Sequence, residues 1–139
     1  MALHGGSGLL EHPKDSEDDN AVSIWRLPAS RLIIQLPGMR QVHVAQGLFG
    51  APSPKPTTLL ALRLPTVEKD LHSGMLTTML PHNVSAGRDE YGRFRTAPLK
   101  EYPSGLCSSV AKAFCTDFCK SNPNVSMDWG VLPSAFLSQ

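Results

Sequence analysis

Prolines at positions 52, 54 and 56 fix where the strands of this chain can run. Proline supplies no backbone N–H and is confined to strand starts, edges and bulges. The stretch "QGLFGAPSPKPTTLLAL", Gln46 to Leu62, therefore cannot be one strand. Before it, "MRQVHVAQ" alternates Val42 and Val44 with Gln41 and His43, the period-two pattern of a half-buried strand. At its end, "TTLLALRL" is β-rich and then continuously apolar, which predicts a second strand. The link from Gly47 to Pro56 is too short and helix-free for a parallel crossover, so the two strands are predicted to pair antiparallel.

The link itself admits three readings. A phosphate-binding loop needs glycine, four residues, glycine, then Lys and Ser/Thr, with a helix after it. Gly47 and Gly50 stand too close together, Lys55 follows no glycine, and a strand pattern comes next, so this reading is rejected. "PSPKP" resembles a polyproline docking ligand, but it is flanked by strand patterns. The third reading is a stiff turn between adjacent strands, with Lys55 as its one charged group. A solvated lysine is the plain interpretation, and a functional contact is the alternative.

Around this hairpin the chain breaks into short elements. "SGLLEH" reads as a buried strand with a polar carboxyl end, and Lys14 to Asn20 as an acidic loop. Ser23 to Gly38 reads as a helix restarted at Pro28, with Ile24, Leu27, Leu32 and Leu36 near helical spacing. Thr66 to Met75 is predicted as a short helix and Leu80 to Pro98 as irregular chain. Pro103 to Asn122 is the clearest element, a helix with Ser104 as N-cap and with Val110, Phe114 and Phe118 turned to the sheet. Residues 1–123 thus read as one α/β domain and 124–139 as a tail.

Composition narrows the function classes. At 139 residues and 41% hydrophobic the chain can bury one modest core. A net charge of +1 gives no global attraction to nucleic acid or membrane. Arg26, Arg31, Arg40, Lys55 and Arg63 run without an intervening acid, so weak nucleic-acid binding stays open beside the simpler reading of a solvated surface. No apolar run has the length of a membrane span, and the first residues lack the pattern of an export signal, so an intracellular protein is expected. Cys107, Cys115 and Cys119 are odd in number and have no neighbouring histidine, so neither zinc nor a mutual disulfide is expected. His4, His12, His43, His72 and His82 are scattered without ligand spacing. Glu11, ending a strand, is the remaining candidate, because open α/β sheets bind ligands at carboxyl strand ends. A surface glutamate opening an acidic loop is the competing reading.

The order of these pieces, "LLEHP", a helix, "VHVAQGLFGAPSPKPTTLLAL" and then "KEYPSGLCSSVAKAF", resembles the C-terminal half of cytosine-C5 DNA methyltransferases. It also resembles a divergent group of such sequences from protists, dinoflagellates in particular. The resemblance runs from Leu9 to Phe118, in element order more than in identity. In the family a strand ends in Glu-Asn-Val, and its glutamate holds the target cytosine. Glu11 takes that place, followed here by His12 and Pro13. The family's Gly-x-Pro-Gln-x-Arg-x-Arg turn is matched at Gly50 and Pro52, with Ser53 at the Gln, Lys55 at the first Arg and Thr57 at the second. "YPSGLCSSVAKAF" resembles the final helix, which helps line the methyl-donor site, without its glycine-asparagine signature.

The resemblance implies a partial Rossmann-like sheet ending in an antiparallel strand pair, with flanking helices. It implies Glu11 as the catalytic acid and Lys55 and Ser53 as substrate contacts. The glycine-rich S-adenosylmethionine loop and the Pro-Cys-Gln nucleophile lie upstream of the glutamate strand in the family, and only ten residues precede Glu11 here. The expectation is therefore a truncated module, inactive alone and binding S-adenosylmethionine only if complemented. A non-enzymatic interaction module, self-associating or docking a partner through an exposed sheet face, is the competing class. A mobile-element gene fragment without a selected role is the third.

Overall fold

The computed structural model describes residues 5–82, 87–88, 90–93 and 101–125. Three strands form one open sheet: β1 (Gly8–Pro13), β2 (Met39–Ala45) and β3 (Pro56–Leu62). The spatial order is β1-β3-β2, and β3 is antiparallel to both neighbours. The predicted hairpin is present, with Val42 opposite Leu59 and Ala45 opposite Pro56. Pro56 opens β3, a position that proline tolerates. Since β1 and β2 both oppose β3, they run parallel to each other. The chain crosses between them through the acidic loop, a 3-10 turn at Ile24–Arg26 and α1 (Pro28–Ile34).

β3 is the centre of the molecule, buried from Thr57 to Leu62 on both faces. Alternation puts Leu9, Leu59, Ala61, Val42 and Val44 on one face. Against it pack α2 (Val67–Gly74) and α3 (Ser104–Ser121), contributing Val67, Leu71, Leu106 and Ala113, while Phe49 and Leu64 complete the core. On the other face Trp25 is buried edge-on to His12, with its indole N–H donated to the Pro13 carbonyl at 2.8 Å. α1 touches β2 but buries none of its own residues, and Leu27, Leu32 and Leu36 face solvent. β1 is an edge strand, half-buried rather than fully buried as the sequence suggested.

Two readings of α3 need correction. Pro103, extended at φ −57° and ψ 137°, holds the capping position, and Ser104 is already the first helical residue, so its hydroxyl makes no cap bond. The buried stripe is Leu106, Ser109 and Ala113, while Val110 and Phe114 sit at its border and Phe118 is 47% exposed. Small residues face inward because α2 and α3 touch backbone to backbone. A Cβ on Gly74 would lie 1.8 Å from Ser109 Oγ, and one on Gly105 would lie 3.1 Å from the Gly74 carbonyl. Ser109 satisfies its buried hydroxyl on the Gly105 carbonyl at 2.8 Å. Asp70 on α2 is buried with partners, accepting from Thr66 Oγ1 at 2.8 Å and lying 3.9 Å from Lys112 Nζ on α3.

Among the described residues no helix is long and apolar enough to cross a membrane. The cysteines are free, Cys107 exposed and the other two half-buried. The tail from 126 onward and much of the irregular stretch lie outside the described residues.

The helix contact sets two effects against each other in Gly74→Ala. Helix propensity favours alanine by up to about 1 kcal/mol, whereas overpacking costs about 1–3 kcal/mol. The expected outcome in urea unfolding is net destabilisation, relieved in the double variant with Ser109→Gly. A stabilised single variant would mean that the two helices do not meet as described.

Candidate functional site

Glu11 shares a sheet face with Leu9 and stands opposite Leu59, so it is a carboxylate on an otherwise apolar floor. The first turns of α3 roof this floor with Leu106, Cys107, Val110 and Ala111. Between them lies a cleft of about 440 Å³. At its mouth is Tyr102, one residue ahead of the Pro103 cap, whose hydroxyl donates to Glu11 Oε2 at 2.5 Å. Such a short bond to a carboxylate is among the stronger kinds of hydrogen bond.

Lys55 reaches Tyr102 from the loop. The loop closes as an extension of the hairpin, through Gln46 N–H to the Lys55 carbonyl at 3.3 Å and Gly47 N–H to the Pro54 carbonyl at 3.1 Å. Lys14 N–H bonds the Pro56 carbonyl, which fastens the end of β1 beside the lysine. Lys55 itself takes φ +38°, a left-handed conformation that costs a non-glycine residue about 1–3 kcal/mol. Its Nζ lies 5.1 Å from the centre of the Tyr102 ring, within cation–π range. Glu11, Lys55 and the start of the "YPSGL" helix are far apart in sequence, and the fold gathers them around one phenol ring.

Ser53 has a different place from the one the family resemblance implies. It is only 3% exposed, turned into the loop, and absent from the cleft lining. Its Oγ, like Gln46 Oε1, is buried without a hydrogen-bond partner among the described residues. Gly47 is required where it stands, because a Cβ there would come within 2.5 Å of Pro81. The suspected basic face is dispersed: Arg26 is held by both oxygens of Asp15 at 2.8 Å, Arg40 approaches Glu68 at 3.8 Å, and Lys55 sits by the Tyr102 ring. The hydrogen bond to Arg26 keeps the Asp15 carboxyl below its usual range and raises Arg26 in turn.

Tyr102 was not singled out in the sequence. Its one signal was position, an aromatic next to a helix-opening proline. Bonding to Glu11, together with partial burial and the nearby negative charge, pushes its phenol up from 10.0 to about 12. No group of three or more potential metal ligands occurs among the described residues. Comparison with protein-family models, with curated proteins and with solved structures gave no match for this chain.

Two outcomes follow. The Tyr102 ring carbon bearing the hydroxyl, followed by NMR, titrates near pH 12, and in Glu11→Gln the midpoint falls back toward 10.0. The sign follows from the raised value: the bond contributes fully below pH 10 and is lost as pH rises to about 12. An unchanged midpoint in Glu11→Gln would separate the two residues. Ser53→Ala, which removes a buried unpaired hydroxyl, leaves stability unchanged or raises it by about 1 kcal/mol in denaturant unfolding. A clear loss would show that the hydroxyl is bonded.

Proposed function

We propose that this chain forms the substrate-side half of a methyltransferase-like module. Its cleft holds a ring-bearing substrate, with Glu11 accepting an N–H from an amino group on the ring and Lys55 meeting an anionic group such as a phosphate. The observation that carries the reading is Tyr102 at the mouth of the cleft, whose hydroxyl bonds Glu11 and whose ring, at the "YPSGL" helix start, lies 5.1 Å from Lys55 Nζ. These are three of the places where the chain resembles the cytosine-C5 methyltransferases. The parallel relation of β1 and β2, linked through a helix with β3 reversed between them, supports a Rossmann-like origin for the sheet.

Transfer by the cytosine-C5 route also needs a nucleophile to attack the ring and a site for the methyl donor. Lines of support for both are missing: no glycine-rich turn leads into a helix among the described residues, and the cysteines all lie on α3. Donor site and nucleophile are therefore assigned to polypeptide outside these 139 residues. The edge of β1 away from β3 is where it would pair, since strand addition completes an open sheet. S-adenosylmethionine belongs to the complemented module and not to this chain alone.

The 139-residue chain transfers no radiolabelled methyl group to DNA, and calorimetry gives S-adenosylmethionine binding no tighter than roughly millimolar, near −4 kcal/mol. Cytidine 5′-monophosphate shifts amide resonances around Glu11, Tyr102 and Leu106, and Glu11→Gln removes the shifts. Micromolar donor binding would replace the half-module with an enzyme. Shifts centred elsewhere would move the site.

A further inference from the structure

A ligand bound as just described would use Glu11 as acceptor for an N–H and Lys55 as partner for an anion. One side chain of the protein already engages both. Tyr102 gives its hydroxyl to Glu11 Oε2 and lays its ring under Lys55 Nζ. Resting on the site reading above, we propose that Tyr102 is the internal competitor of this cleft, a residue that any ligand engaging both Glu11 and Lys55 must displace and that sets the threshold affinity for such a ligand.

The geometry suits that role. Tyr102 lies just ahead of α3, outside the helix, is 48% exposed and is not part of the core cluster, so its ring can swing away without opening the core. Being tethered, it competes at a high effective concentration, as any intramolecular partner does. A ligand that replaces only the hydroxyl leaves Lys55 without its ring, and one that replaces only the ring leaves Glu11 without its donor. The ligand that makes good both losses carries a nitrogen donor on a ring and an anionic group within about one ring's reach of it. Neutral apolar molecules fit the walls of Leu9, Leu106 and Val110 but do not displace the plug.

The test is an NMR titration of cytidine 5′-monophosphate and of cytidine into the wild-type chain, Tyr102→Phe, Tyr102→Ala and Glu11→Gln. Tyr102→Ala is expected to bind both probes at least tenfold tighter than wild type, about 1.4 kcal/mol. Tyr102→Phe, which keeps the ring over Lys55 and loses the hydroxyl, is expected to fall between. Saturating monophosphate should also return the wild-type Tyr102 titration from about 12 toward 10.0, which a purely structural tyrosine would not show. Equal or weaker binding by Tyr102→Ala, with wild-type binding lost in Glu11→Gln, overturns the competitor and leaves the site standing. Absence of binding in every variant overturns the competitor and the site together.

Discussion

Everything in this fold is arranged around a strand that cannot face water. From Thr57 to Leu62, β3 buries both of its faces and both of its edges, so it must have a strand on each side and a layer above and below. β2 is supplied by the hairpin, the shortest route available. β1 comes from earlier in the chain, which forces the passage over the sheet that carries Trp25 and α1. The helical layer on the opposite face then has to span β1 and β3 together. That span leaves a gap over Leu59, and the gap is the cleft. The site is thus a by-product of covering the sheet with α2 and α3.

Local signals made most of the architecture legible. Val42 and Val44 alternate, the prolines bar a strand between 51 and 55, and Pro28 and Pro103 stand just ahead of or at helix starts. The inner face of α3 was not legible, because its choice depends on a contact with α2 some thirty residues away. By size, Phe114 and Phe118 should have gone inward. Gly74 and Gly105 let the two backbones approach so closely that Ser109 packs against Gly74, and with the stripe of Leu106, Ser109 and Ala113 turned inward the phenylalanines lie toward the rim. Periodicity identifies a helix that has an apolar side; it does not say which stretch of that side meets the tightest neighbour. The same limit explains α1, whose apolar positions are spaced for a partner that the described residues do not supply.

For the site, Glu11 and Lys55 were legible as isolated charges at the ends of strand patterns, and their meeting was not. It depends on register: Pro13 stands opposite Thr57, so the end of β1 and the start of β3 are neighbours, with Lys55 just beyond. β1 and β3 are not joined by a turn, so no loop length sets that register in advance. Tyr102 was hidden for a related reason. Its importance comes from the partner it reaches, 91 residues away, and not from its immediate neighbours.

The Gly47–Pro56 loop carries an unusual concentration of local cost. Lys55 is left-handed immediately before a proline, and Gln46 Oε1 and Ser53 Oγ are buried without partners among the described residues. Each is worth of the order of 1–3 kcal/mol against folding. What holds the loop in this form is substantial: Phe49 in the core, Gln46 Nε2 donating to Thr57 Oγ1 at 3.0 Å, and Gly47 packed under Pro81. A glycine at position 55 would relieve the backbone at once, yet the residue there is the one whose ammonium reaches Tyr102. Glu17 and Arg63 adopt left-handed backbone as well, so the conformation is not peculiar to this loop. What distinguishes the loop is that it brings the Lys55 ammonium to the ring of the tyrosine that bonds Glu11.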